Sequence, residues 1–343
     1  MKPLANVLYI TSPDVYLSLD GENVVVRKDE HTSTRLPLHN LENIVCFNYQ
    51  GVSPALMGAC VERNIGLCFL TPNGRFLARV SGKVRGNVLL RKKQYQISEK
   101  ADQSLPIACS FLLGKIYNCR KVLERGIRDH AMLVNVDALS KASLFLKETL
   151  QALPACNSVG ELMAFEGSAA KIYFGVFGEL ILQQTDDFLF KDRSRRPPMD
   201  NMNSLLSFLY TLLTNEVVSA LETVGLDPYV GFLHSDRPGR PSLALDLMEE
   251  LRSVFADRLA LSLVNRRQIT GKGFTRKESG GILMDDSTRK TVLTAWQERK
   301  KEEIMHPFLK ERIAFGLIPH IQAMLLARYL RGDLDAYPPF FWN

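Results

Sequence analysis

Glu166 lies in the stretch Leu162-Met163-Ala164-Phe165-Glu166-Gly167-Ser168-Ala169-Ala170, a lone carboxylate among apolar and small residues. A charge on such a face needs a partner, because burying it alone is costly. That partner is either a buried cation or a metal ion. His234 closes the apolar run 229–233 and opens a stiff loop, Ser235-Asp236-Arg237-Pro238-Gly239-Arg240-Pro241. The helical pattern that follows places Asp246 one turn before Glu249 (i+3) and Glu250 (i+4), so three carboxyls share one face. Like charges stacked this way weaken a helix unless a cation bridges them, and the bridge is either Arg252 or a divalent metal. Carboxylate oxygens with one imidazole suit magnesium or manganese better than zinc.

The cations are unevenly spread. Residues 1–100 hold 13 Lys and Arg against 8 Asp and Glu, a surplus of five in a chain whose net charge is +6. Much of it falls in 75–93, where Arg75, Arg79, Lys83, Arg85, Arg91, Lys92 and Lys93 occur without one acid. Such a surplus is the footprint of a polyanion partner, nucleic acid above all, or else a solvated face. Apolar residues alternate with these cations, which indicates a structured, one-sided element. A second cluster joins Arg266 and Arg267 to the loop Gly271-Lys272-Gly273-Phe274-Thr275-Arg276-Lys277. It lacks the spacing of a nucleotide-triphosphate loop and reads as a basic surface loop or a phosphate-backbone contact. Arg237 and Arg240 either grip phosphates or pair locally with Asp236.

Two kinds of element must position these groups. Short β-branched runs at 7–11, 15–19, 24–26, 44–47, 67–70 and 75–80, with one helix at 53–64 capped by Ser53-Pro54, predict a small β-rich domain. From residue 105 the apolar period is near 3.6, predicting helices at 105–125, 131–152, 160–184, 204–224, 242–258, 287–301 and 314–330. The expected fold class is α+β: a β-rich domain over 1–98, a linker at 99–104, and a larger all-α domain over 105–343 that carries the acids. No apolar run approaches a membrane span on this reading, and no signal core follows Met1. The six cysteines include no C-x-x-C pair, and five have apolar surroundings, so they are expected to be buried free thiols of a reducing cytoplasm rather than zinc ligands.

Several motifs together resemble a known family. They are 74–95 (GRFLARVSGKVRGNVLLRKKQY), Gly114-Lys115-Ile116-Tyr117-Asn118, the Glu166 helix (GELMAFEGSAAKIYF), 228–252 (PYVGFLHSDRPGRPSLALDLMEELR) and 328–342 (RYLRGDLDAYPPFFW). The chain resembles, over nearly its whole length, the CRISPR-associated endonuclease and integrase that inserts new spacers into CRISPR arrays, in a flavour similar to subtype I-C. The resemblance implies that Glu166, His234 and Glu249 hold a divalent metal, magnesium or manganese, with Asp246 a further catalytic acid. The family often has aspartate where Glu249 stands, which leaves open whether Asp246 or Glu249 is the closer ligand. It also implies double-stranded DNA as substrate (spacer fragment and repeat), a homodimer, and a small ferredoxin-like companion protein, with no membrane partner. The implied reaction is attack of a spacer 3′-hydroxyl on a repeat phosphodiester. The rival readings are a branched-DNA repair nuclease that never joins strands and a non-catalytic DNA-binding scaffold whose acids are merely ion-paired.

Overall fold

The computed structural model describes residues 6–28, 33–72, 74–82, 88–278 and 280–342. The chain divides into two compact units, one formed by 1–85 with 284–302 and the other by 86–283 with 303–343.

The first unit starts with β1 (Asn6–Ile10), then the meander β2 (Tyr16–Asp20), β3 (Asn23–Arg27) and β4 (Ser33–Pro37), and β5 (Leu41–Cys46). The tight β2–β3 turn pairs Asp20 with Asn23 and puts Gly21 at φ +57°, a conformation that glycine adopts without strain. Helix α1 (Pro54–Glu62) is capped as its sequence suggests, with Ser53 Oγ accepting from Leu56 N at 3.2 Å. It leads to β6 (Gly66–Leu70) and β7 (Phe76–Val80). One sheet runs β1-β5-β6-β7, parallel except for the β6–β7 hairpin, and the other is antiparallel β2-β3-β4. Leu17, Val24, Leu38, Ile44, Leu56 and Leu67 form the centre of its core.

The second unit begins with α2 (Val88–Ser98) and the 30-residue α3 (Ala101–His130). The expected linker at 99–104 is therefore mostly helix, and the β-rich unit ends near residue 85 instead of 98. The polar start of α3 hid it, because its apolar stripe begins only at Ile107. Next come α4 (Val136–Ala152) and α5 (Val159–Phe177), whose Ser158 and Glu161 close a reciprocal cap: Ser158 Oγ accepts from Glu161 N, and Glu161 accepts from Asn157 N. Then follow α6 (Asn201–Val224), α7 (Ser242–Glu249), a π turn at Ser253–Asp257 and α8 (Arg258–Asn265). The single helix expected at 242–258 is thus interrupted at residues 250–251.

After the hairpin of β8 (Phe274–Arg276) and β9 (Ile282–Met284), α9 (Asp286–Lys301) joins the first unit, packing on β1 with Val292 and Trp296 buried. Assigning it to the helical domain was a misreading that no local signal could correct. A second hairpin, β10 (Glu303–Met305) and β11 (Arg312–Ala314), precedes α10 (Ile318–Arg331), which packs on α6. Because of these hairpins the larger unit is mainly helical and not all-α. Helix α6 is also long and apolar enough, by length and composition, to cross a membrane, contrary to the run-length reading; 61% of its apolar window is buried within the unit, as in a core helix. All six cysteines are free, four of them buried and Cys109 and Cys156 half-buried.

Candidate active site

Three helices and one loop of the second unit bring the expected acids and histidine together. From α3, Lys115 reaches between two carboxylates: its ammonium contacts Glu166 Oε1 of α5 and lies 2.8 Å from Glu249 Oε2 at the end of α7. Arg252 Nη2 holds the other Glu249 oxygen at 3.0 Å, and His234 Nε2 faces that same oxygen across 4.0 Å. Burial alone would push the Glu249 carboxyl up, but Arg252, Lys115 and His234 overcome it and hold the group at about 2. Lys115 shows the converse: burial pulls its ammonium down, and Glu249 and Glu166 more than compensate, so its pKa is raised.

Asp246 is fully buried and faces away from this cluster. Its Oδ2 accepts from Phe232 N (2.7 Å) and Leu233 N (3.0 Å), and its Oδ1 from His234 N (2.9 Å), with His234 Nδ1 also at 2.7 Å from Oδ1. The sequence Gly231-Phe232-Leu233-His234 thus wraps around one carboxylate. Gly231 is required at the turn, because a Cβ there would stand 2.8 Å from Asp246 Oδ2 and 2.9 Å from His234 O. With its oxygens engaged, Asp246 orients the imidazole and is not free to be a ligand. Glu249 is the nearer of the two to Glu166.

Glu166 differs from expectation in exposure. Its side chain is 21% exposed, and Ala164, Gly167 and Ser168 beside it face solvent. Small residues on this face leave the site open to a bulky substrate. Beside the carboxylates lies a small pocket lined in part by Ala169, Phe174, Tyr210 and Arg252. At its wall Asp257, pushed up to about 6 by burial, accepts hydrogen bonds from Tyr210 (2.7 Å) and Tyr173 (3.0 Å). The Tyr210 ring carries the guanidinium groups of Arg193 and Arg252 at 5.1 and 5.2 Å from its centroid, which steadies the arginine that holds Glu249.

Among the described residues no three His, Cys, Asp or Glu side chains converge closely enough to hold a metal by themselves. Lys115 supplies the positive charge at that point. The donor set nevertheless fits a divalent cation. Glu249 Oε2 is buried and has no polar partner beyond the Lys115 ammonium at 2.8 Å. His234, fixed through Nδ1 by Asp246, presents Nε2 toward the same carboxylate, the usual arrangement of a ligating histidine and its carboxylate support.

The expected DNA contacts are only partly gathered. Arg237, Lys272, Arg266 and Arg267 are exposed and Arg240 half-exposed in the second unit; among the described residues no ion pair ties Arg237 or Arg240 to Asp236. Arg267 donates to Gln183 at 2.8 Å. Arg75 is exposed next to β7 in the first unit, with Arg79 half-exposed on it, while Lys83 and Arg85 lie outside the described residues. The basic stretch is therefore not one element: Arg91, Lys92 and Lys93 sit on α2 of the other unit, where Arg91 Nε donates to Gly225 O at 3.1 Å. Reading from sequence missed Lys115, Tyr173, Tyr210 and Asp257. For Lys115 a signal existed, a lone cation within the apolar run Phe111-Leu112-Leu113-Gly114-Lys115-Ile116.

Residues 8–298 match the family described as CRISPR associated protein Cas1. A Rhodospirillum rubrum protein named CRISPR-associated endonuclease Cas1 2 is 52% identical over 350 residues, spanning all of both chains. Among solved structures, a casposase bound to integration product superposes with a TM-score of 0.84 at 20% identity, covering 98% of this chain and 94% of that one. A chain of a Cas6-RT-Cas1–Cas2 complex gives 0.81 at 22% identity, covering all of this chain and 36% of that one. The chain belongs to the Cas1 family of CRISPR-associated endonucleases.

Proposed function

We propose that this endonuclease is a metal-dependent DNA integrase that inserts spacer DNA into a CRISPR array, the 3′-hydroxyl of a fragment attacking a repeat phosphodiester. The observation that carries the reading is that Glu249 is joined to Glu166 through Lys115 and faced by a clamped His234, in a chain of this family. Glu166, His234 and Glu249 would hold magnesium or manganese, which when bound supplies Lewis acidity at the scissile phosphate. Asp246 keeps a proton on His234 Nδ1 and so leaves Nε2 as the lone-pair donor. Arg252 fixes one oxygen of Glu249 and leaves the other for the cation. Lys115 offers positive charge next to the reacting phosphate. Arg237, Arg240, Arg266, Arg267 and Lys272 bind the phosphate backbone, and Arg75, Arg79, Lys83 and Arg85 do so from the other unit.

The likeness to a casposase holding its integration product supports strand joining over simple cleavage. The likeness to a chain in a complex with Cas2 supports a companion protein. On our reading the companion is small and ferredoxin-like, and homodimers of this chain assemble on it in the cytoplasm. We place the chain near subtype I-C on its motifs. The test is a half-site integration assay with a 3′-hydroxyl fragment and supercoiled target. Joined product in magnesium or manganese, lost on chelation and restored poorly by calcium, is expected. Nicking without joining would return the chain to a repair-type nuclease, and activity surviving exhaustive chelation would remove the metal.

A further inference from the structure

The C-terminal aromatic segment, residues 337–342, is buried: Tyr337 is 3%, Phe340 0% and Trp342 8% exposed. Two of its polar contacts meet on one residue, Glu250, the neighbour of Glu249. Tyr337 Oη donates to Glu250 Oε1, and Phe340 N donates to Glu250 Oε2 at 2.7 Å. Gln322 of α10 adds a bond of 3.0 Å to Oε1, and its own carbonyl oxygen meets His306 Nε2 at 3.1 Å. The helix is interrupted here, between the end of α7 at Glu249 and the π turn at Ser253.

Helix α3 closes the arrangement from the other side. Asn118 Nδ2 donates to the main-chain oxygens of Glu250 (2.7 Å) and Phe340 (2.8 Å), while its Oδ1 accepts from Trp342 N at 2.8 Å. One amide therefore ties the interrupted helix and the tail together. Gly114 lies one turn earlier, and a Cβ there would stand 2.7 Å from Glu250 Cβ and 3.2 Å from Pro339 Cβ. Between Gly114 and Asn118 comes Lys115, the cation that touches Glu166 and Glu249. The far end is pinned where the Trp342 ring stacks under Arg258 at 4.1 Å and Arg125 at 5.4 Å.

We propose that residues 337–342 are a strap that sets the position of Glu249, with Tyr337, Asn118 and Gly114 as positioning residues for the site. The proposal rests on the reading that Glu249 acts in that site. The strap fixes Glu250 against α3, and the peptide between the two glutamates transmits that register to the Glu249 carboxylate. A buried network with every member satisfied is rigid, and loss of one donor leaves a costly unpaired oxygen.

Tyr337→Phe removes one donor and keeps the ring against Phe111; Gly114→Ala pushes α3 away from Glu250 and serves if the first variant folds poorly. Two readouts are needed: amide hydrogen exchange over residues 247–252 in metal-free, DNA-free protein, with α6 as internal reference, and single-turnover rate with DNA affinity measured separately. Exchange over 247–252 is expected to quicken about tenfold with α6 unchanged. The rate should fall about tenfold to a hundredfold at unaltered DNA affinity. Unchanged exchange in both variants, quickening shared equally by α6, or an unchanged rate despite faster exchange would each overturn the strap. Exchange needs no turnover, so it stands apart from the integrase reading, which fails instead if Glu166→Ala keeps its rate.

Discussion

Glu249 and Glu250 are adjacent, both buried, and treated in opposite ways. Glu249 faces two cations and is held at about 2, below its ordinary 4.5. Glu250 faces only neutral donors (a tyrosine hydroxyl, a glutamine amide and a backbone N–H), and burial pushes it up to about 7. Neutral donors soften desolvation without cancelling it, whereas a cation reverses it. One turn of chain therefore holds a carboxylate kept charged by its cations beside a carboxyl kept near neutrality by its burial.

The largest test of this contrast removes the charged partner. Glu249→Ala should lower integration by at least about a hundredfold. It should also cost on the order of 3–5 kcal/mol of stability, because Lys115 and Arg252 lose their shared anion. Glu166→Ala and His234→Ala should match the loss of rate with little loss of stability, read as rate and melting temperature together. Equal destabilisation in all three would erase the distinction between site and scaffold.

Asp246→Asn should reduce the rate about tenfold to a hundredfold, since it releases the imidazole without removing a donor to the cation. A loss as complete as that of Glu249→Ala would make Asp246 a ligand after all.

The pH dependence of stability should separate the two glutamates by sign. Glu250, raised in the folded state, contributes stability that is whole below 4.5 and lost as pH rises through 7, on the order of 3 kcal/mol. Asp257, raised to about 6, adds to the same decline. Glu249 contributes stability present above 4.5 and lost as pH falls toward 2. Denaturant unfolding of metal-free protein should show Glu250→Gln flattening the neutral limb and leaving the acid limb; an unaltered neutral limb would break the contrast.

The smallest effect belongs to exposed cations. Replacing Arg266, Arg267 and Lys272 by alanine should reduce the slope of log affinity against log salt by about one unit for each phosphate no longer neutralised, with the single-turnover rate at saturating DNA unchanged. An unchanged slope would place the DNA path elsewhere on this unit.

Local signals made much of this legible. Ser53-Pro54 marked a helix start, Asp20-Gly21-Glu22-Asn23 marked a hairpin, and the motifs around Glu166, His234 and Glu249 named the residues that meet. The i, i+3, i+4 spacing of Asp246, Glu249 and Glu250 misled, because it implied one helix face with one role. In the folded chain the three carboxyls serve a histidine, a pair of cations and the C-terminal strap in turn. That division depends on the interruption at residues 250–251 and on bonds from α3 and the tail, more than a hundred and nearly ninety residues away respectively. Periodicity cannot report partners at such separations. The basic run 75–93 misled for a related reason, since charge density along the chain carried no sign of the boundary between the units.

The placement of α9 has a consequence for how the protein is made. Residues 1–85 emerge from the ribosome first, yet the helix that packs on β1 comes at Asp286–Lys301. At 5–20 residues per second, roughly 200 further residues take about 10–40 s to synthesise. For that interval the nascent sheet waits without its last helix while the whole of α2–α8 is being threaded out. Slow codons or a chaperone acting between these two events would therefore bear on yield without touching any contact of the finished sheet.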